Sequence, residues 1–281
     1  MIKKSDQKFI KNAIFISFTS LKDFLNCPRA YYLKNIYRDP KTGFKLQIAS
    51  GNLSLGSTVH DSVKWFLEMD EKPTKDELLS KYRNLWLKFR GKKGGFSSLE
   101  EEGNFGRRGL AILENFYKNW QVLGKSAPLL TFPKYNLFED VVLMGNFDYV
   151  MEQEDGSLFV IDFKAGAKEE KDPLQLYIYA ILAEANLERP VSAAAFWYLD
   201  RDDRPKEIVL DPLDDKLKWL IEKGKEVKQA LQINDWLCVF EDKGKCRDCK
   251  DYQLLIDGKG EFQFSDYRYK KDVYFLRADR S

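Results

Sequence analysis

The sequence predicts an α/β fold whose strands gather in its second half, preceded by a helical insertion. Three observations predict it. Apolar residues recur at helical spacing up to about residue 123, and after Pro128 the period shortens to that of strands. Asp155-Gly156 is a turn signal between two apolar runs.

Residues 18–37 read as a helix with Leu21, Phe24, Leu25 and Tyr32 on one side, bent or broken by Pro28. Ser57-Thr58 opens a second helix, striped by Val59, Val63, Phe66 and Leu67. A third covers 75–90 through Leu78, Leu79, Tyr82, Leu85, Trp86 and Phe89, and 91–95 is a flexible basic break. A fourth runs from about 99 to 123, burying Leu110, Leu113, Phe116, Tyr117 and Trp120. Strands follow at 129–138, 141–151, 158–164 and 191–199, with helices at about 172–187 and 212–230. The stretch 262–276 alternates aromatic and polar residues, and either adds an edge strand or covers the cysteines. No internal repeat is visible.

Composition bounds the rest. The 281 residues are 44 % hydrophobic, which excludes a disordered chain. They fit one large domain or two small ones, read here as a single domain with an N-terminal helical part at 16–127, a catalytic core at 128–232 and a C-terminal cysteine segment at 233–281. No run approaches the roughly 18 apolar residues of a membrane span. The first eight residues are basic without an apolar stretch behind them, so a soluble, cytoplasmic protein is expected. Net charge is only +2. Yet 1–43 and 81–126 each carry +6, together +12, so the remainder sums to −10. A basic surface beside an acidic centre suits nucleic acid on the first and metal ions in the second.

Cys27, Cys238, Cys246 and Cys249 are the only cysteines and His60 the only histidine. One histidine excludes the two-histidine zinc protease motif. A serine triad lacks its Gly-x-Ser-x-Gly elbow. Gly124-Lys125-Ser126 resembles a phosphate-loop ending, but position 119 is Asn and Pro128 blocks the following helix. Residues 81–93 hold six basic side chains and no acidic one, able to track a phosphate backbone or to form a solvated helix face. Tyr82, Trp86 and Phe89 lie on the apolar stripe and read as core.

The most informative segment is 141–164. With the turn centred near residue 155, cross-strand partners sum to about 310, which sets Asp148 opposite Asp162 with Cβ atoms about 5 Å apart. Lys164, two residues on, shares the face of Asp162. Like charges opposed among Phe147, Tyr149, Ile161 and Phe163 repel strongly, and a divalent cation between them resolves the conflict. The plainer alternative is an exposed sheet face with scattered charges.

These residues resemble the PD-(D/E)XK nucleases, in particular the RecB-like branch that includes the AddB nuclease domains and the CRISPR-associated adaptation nucleases. Gly145-Asn-Phe-Asp148, Asp162-Phe-Lys164-Ala-Gly166 and Gln175-Leu-Tyr-Ile-Tyr179 match its core pattern. Gly56-Ser-Thr-Val-His60 and Ser20-Leu-Lys-Asp-Phe-Leu-Asn-Cys27-Pro28 match its upstream motifs. The resemblance implies a mixed central sheet flanked by helices, and Mg²⁺ or Mn²⁺ held by His60, Asp148, Asp162 and the Phe163 carbonyl. Lys164 would position or activate the attacking water, while Gln175 and Tyr179 line the site. Without the resemblance, His60 reads as a core histidine and Gln175 and Tyr179 as boundary polar residues. It also implies a [4Fe-4S] cluster. One ligand comes from the N-terminal helix, Cys27; of the three expected late, Cys246 and Cys249 are present, the one expected after Cys249 is missing, and Cys238 takes its place. Zinc in the same ligands, or free thiols, is the alternative. The expected activity is a metal-dependent DNA nuclease acting as an exonuclease on single strands or ends, with a helicase or CRISPR adaptation proteins as partners. The competing expectation is a non-catalytic nucleic-acid-binding iron-sulfur protein of the same fold.

Overall fold

The fold is that of a computed structural model, which describes residues 2, 13–128, 130–166, 168–240 and 246–277. The described helices are α1 (Phe18–Asn26), α2 (Pro28–Tyr31), α3 (Gly51–Glu68), α4 (Lys75–Trp86), α5 (Leu99–Asn119), α6 (Leu174–Leu187), α7 (Leu213–Ile233) and α8 (Lys250–Ile256). The strands are β1 (Ile14–Ile16), β2 (Lys45–Ile48), β3 (Lys134–Phe138), β4 (Val141–Met144), β5 (Tyr149–Glu152), β6 (Leu158–Lys164), β7 (Val191–Tyr198), β8 (Lys206–Ile208), β9 (Glu261–Asp266) and β10 (Lys271–Phe275). The chain is mixed α/β, as its periodicity predicts. It divides into two compact units, 1–19 with 115–235 and 20–114 with 236–281.

The first unit holds two sheets. One runs β1-β4-β3, with β1 parallel and β3 antiparallel to β4. The other runs β5-β6-β7-β8, in which only the β6–β7 pair is parallel. Helix α6 makes the crossover between β6 and β7. It is mostly apolar and, except at Gln175, buried from Leu174 to Ala185, so packing rather than an amphipathic stripe holds it. Six of the seven residues of β6 are buried, the pattern of a strand covered on both faces. Asp162 stands inside that run.

The reading of 141–151 as a single strand is corrected: 145–148 separates β4 from β5, and the two belong to different sheets. Gly145 lies so close to α6 that an added Cβ would meet Leu182 at 2.9 Å and Tyr179 at 3.2 Å. A regular strand does not make that approach. Of 129–138 only 134–138 is strand, because Phe132 takes a left-handed φ of 51° just before Pro133, and residue 129 lies outside the described residues.

In the second unit, α1 ends at Asn26, Cys27 is extended, and Pro28 opens α2 from a position where its missing N–H costs nothing. Helix α3 begins at Gly51, not at Ser57. Ser50 caps it by accepting the Leu53 N–H, and only a glycine fits at 51 beneath Phe96 and Phe105. The expected flexible break at 91–95 is instead a 3-10 turn locked in place. Gly94 accepts a hydrogen bond from the Ser54 hydroxyl at 2.9 Å, and Gly95, with φ of 85°, abuts the backbone of Ser50. Residues 261–275 form the β9–β10 hairpin, which pairs in parallel with β2. Strand β2, of four residues, and helix α8, of seven, are too short to be visible by periodicity.

Candidate active site and cysteine centre

The hairpin of β5 and β6 builds the site. Its turn places Gly156 at φ of 84°, and Asp155 Oδ1 accepts the Ser157 N–H at 2.8 Å. Tyr149 pairs with Ile161 and Val150 with Val160, so partner numbers sum to 310, the register read from the sequence. Pairing stops at Tyr149. Asp148 lies one residue beyond, and its Oδ2 accepts the backbone N–H of Phe163 at 2.8 Å. The acidic group of one strand is therefore fastened to the other strand at the residue after Asp162.

Asp162 is 2 % exposed, and a carboxylate at that depth needs partners. Its Oδ2 lies 2.9 Å from Lys164 Nζ, and its Oδ1 accepts from Gln175 Nε2 at 2.7 Å. The same Gln175 amide accepts from Lys164 Nζ at 2.7 Å through Oε1 and donates to the Tyr179 hydroxyl at 3.0 Å. One amide thus joins an anion, a cation and a phenol, and each partner fixes which end of the amide faces it. Lys164 also lies 4.9 Å from the centre of the Phe196 ring. Burial, and then the charges of Asp162 and Asp148, push the Tyr179 hydroxyl far above its ordinary pKa. It stays protonated and acts as a hydrogen-bonding group, not a base. Phe147 packs edge-on against the Tyr179 ring at 5.7 Å.

Asp148, Asp162, Lys164, Gln175 and Tyr179 are accordingly brought together. Two carboxylates meet one ammonium, so the cluster keeps a negative charge suited to a hard divalent cation with oxygen ligands. Part of the repulsion expected from the sequence is already offset by Lys164. The Phe163 ring is core, packed between Tyr149 and Trp197, while its backbone holds Asp148. His60 stands half-buried on α3 in the other unit. Neither Gly56 nor Gly166 of the matched motifs has an atom within 4 Å of an added Cβ or a left-handed φ, so nothing in the structure explains a glycine there. Sequence reasoning placed Gln175 in the lining of the site and missed its bridging role. The i, i+4 spacing to Tyr179 was the available signal, but the other partners lie on β6, and no local pattern shows that this strand and the helix after it bring these side chains together.

The cysteines also converge. The thiol sulfurs of Cys27, Cys238, Cys246 and Cys249 all lie within 4.8 Å of one another. Cys27 to Cys238 measures 3.9 Å and Cys238 to Cys249 measures 3.6 Å. Cys27 sits in the break between α1 and α2, Cys246 and Cys249 lead into α8, and Ala30, Leu33, Tyr32 and Tyr252 close around them. Burial pushes the Cys27 and Cys249 thiols up. Burial opposes ionisation of Cys246 as well, yet bonds from Cys249 and the Asp248 backbone bring it below its ordinary value. Four soft sulfur donors, three of them buried and Cys238 partly so, fit a thiophilic metal centre.

A family model of the PD-(D/E)XK nuclease superfamily matches residues 16–252. No curated protein gives a significant match to the chain. Among the described residues no helix is long and apolar enough to cross a membrane. The family match runs through both units and takes in the carboxylate cluster and all four cysteines, and on that ground the chain belongs to the PD-(D/E)XK nuclease superfamily.

Proposed function

We propose that the chain is a metal-dependent deoxyribonuclease acting as an exonuclease on single strands or DNA ends, in the cytoplasm. The observation that carries this reading is the Gln175 bridge, which holds a buried carboxylate and an ammonium in fixed relation beside a second carboxylate. Asp148 and Asp162 would hold Mg²⁺ or Mn²⁺, with the Phe163 carbonyl as a further ligand. Such an ion polarises a phosphoryl oxygen and lowers the pKa of a bound water. Lys164 holds its charge where negative charge grows on the attacked phosphate and orients the water, restrained by Asp162 and Gln175. Tyr179 remains neutral, packed edge-on against Phe147 and bonded to the Gln175 amide. A helicase or CRISPR-type adaptation proteins would deliver the strand.

The test is Mn²⁺-dependent degradation of labelled DNA by the wild type, Asp162→Ala and Lys164→Ala. Cleavage by the wild type alone supports the reading, and equal activity in all three rejects the mechanism. Absence of cleavage in the wild type would favour the non-catalytic binding protein.

The four cysteines would hold a second metal centre. The resemblance points to [4Fe-4S]. A single zinc ion is favoured by the sulfur separations, because tetrahedral ligands at about 2.3 Å from one ion lie roughly 3.8 Å apart. Metal analysis after anaerobic purification decides: brown protein rich in iron identifies the cluster, and colourless protein with one zinc identifies the single ion. Protein free of both metals would reject a metal centre.

A further inference from the structure

The second unit contains a cleft of about 540 Å³ between α3, the end of α4 and the β9–β10 hairpin. Lys88, Lys93, Arg268 and Lys271 line it, together with the rings of Phe89 and Tyr269. Two carboxylates, Asp61 and Asp266, also line it, and Asp266 is engaged with the Tyr269 backbone N–H at 3.1 Å. Four cations against two anions leave the walls positive.

The basic run 81–93 divides in a way the sequence does not reveal. Lys81 lies over the Trp65 ring, Arg90 pairs with Glu102 and Lys92 with Glu261. Lys88 and Lys93 are exposed, and among the described residues neither is in an ion pair, nor is Arg268. Of the cations of the run in no ion pair, Lys88 and Lys93 line the cleft and the exposed Arg83 does not. The wall is also preformed, since Gly94 and Gly95 clamp the basic turn against the start of α3. On the opposite wall the hairpin tip presents Tyr267 and Tyr269, 78 % and 58 % exposed, with the Arg268 guanidinium 5.3 Å from the Tyr269 ring centre. Large rings do not stay in water without cost, and rings alternating with cations form a surface on which bases stack while phosphates are neutralised.

We propose that this cleft holds single-stranded DNA, with its phosphates on Lys88, Lys93, Arg268 and Lys271 and a base stacked on Tyr269. The choice of DNA rests on the nuclease reading above, while the charge and ring pattern stands apart from it. A duplex keeps its base faces stacked internally and cannot use Tyr269, so the site discriminates by strandedness.

Binding is measured by fluorescence anisotropy with a labelled oligothymidine of about 20 nucleotides, in the Asp162→Ala background, without divalent metal and over a range of salt. Lys88→Ala with Lys93→Ala is expected to reduce the slope of log affinity against log salt by about 1.4, two phosphate contacts' worth for a single strand. Tyr269→Ala is expected to weaken binding about tenfold and Tyr269→Phe to restore it. Arg90→Ala with Lys92→Ala, equal in charge removed but drawn from paired residues, is expected to leave binding unchanged. Equal loss in that control, an unaffected Tyr269→Ala, or a duplex bound as tightly as the single strand would overturn the proposal, and so would tighter binding of oligouridine. Cleavage is read separately with Asp162 intact. Failure of cleavage alone sinks the nuclease reading, and unaltered binding in the cleft variants sinks this one.

Discussion

Gln175 shows how much one neutral side chain can organise. Its two ends are chemically opposite, and Lys164 and Asp162 occupy the matching ones. Gln175→Ala leaves the ion pair but removes its brace, so cleavage should fall about 10–100-fold with DNA affinity unchanged. Lys164→Ala, which removes the charge itself, should cost at least about 10²–10³. Gly145 makes a different prediction. Gly145→Ala pushes a methyl group against Leu182 and Tyr179 and should lower stability by roughly 1–3 kcal/mol in thermal unfolding. At this scale Asp148, Asp162 and Lys164 were legible because strand pairing follows simple arithmetic once a turn is found. Gln175's role was not, because no local pattern announces a contact between a helix and a strand.

Among elements, the β5–β6 hairpin owes its register to buried residues on both strands as well as to its turn. Gly156→Ala imposes a side chain on a left-handed backbone and should cost about 1–2 kcal/mol. The denaturation midpoint should fall with its slope unchanged, and cleavage should persist because the strands keep their pairing. Helix positions were legible in the sequence and helix starts less so. The apolar stripe of α3 begins after its first turn, whereas its cap is set by Ser50 and by two rings folded from elsewhere. Strands β4 and β5 merged in the sequence reading because a strand's alternation carries no mark of which sheet it joins.

For the molecule as a whole, the cysteine centre joins residue 27 to residues 238–249, all four ligands in the second unit, and so closes a loop of more than 200 residues. Cys246→Ser should release the metal, measured by elemental analysis, and lower the unfolding free energy by roughly 3 kcal/mol or more, the order of one long-loop crosslink. Unchanged stability with the metal lost would reduce the centre to an accessory. The charge asymmetry was also legible, but which basic residues are free for a ligand was not. That depends on Glu102 and Glu261, brought to Arg90 and Lys92 by folding.

The most direct measurement is cleavage of end-labelled single-stranded DNA in Mn²⁺ by the wild type and by Asp162→Asn, which keeps the shape of the side chain and removes its charge. The account predicts cleavage by the wild type and a loss of at least a hundredfold in the folded variant. An Asp162→Asn protein that cleaves as fast as the wild type would contradict it.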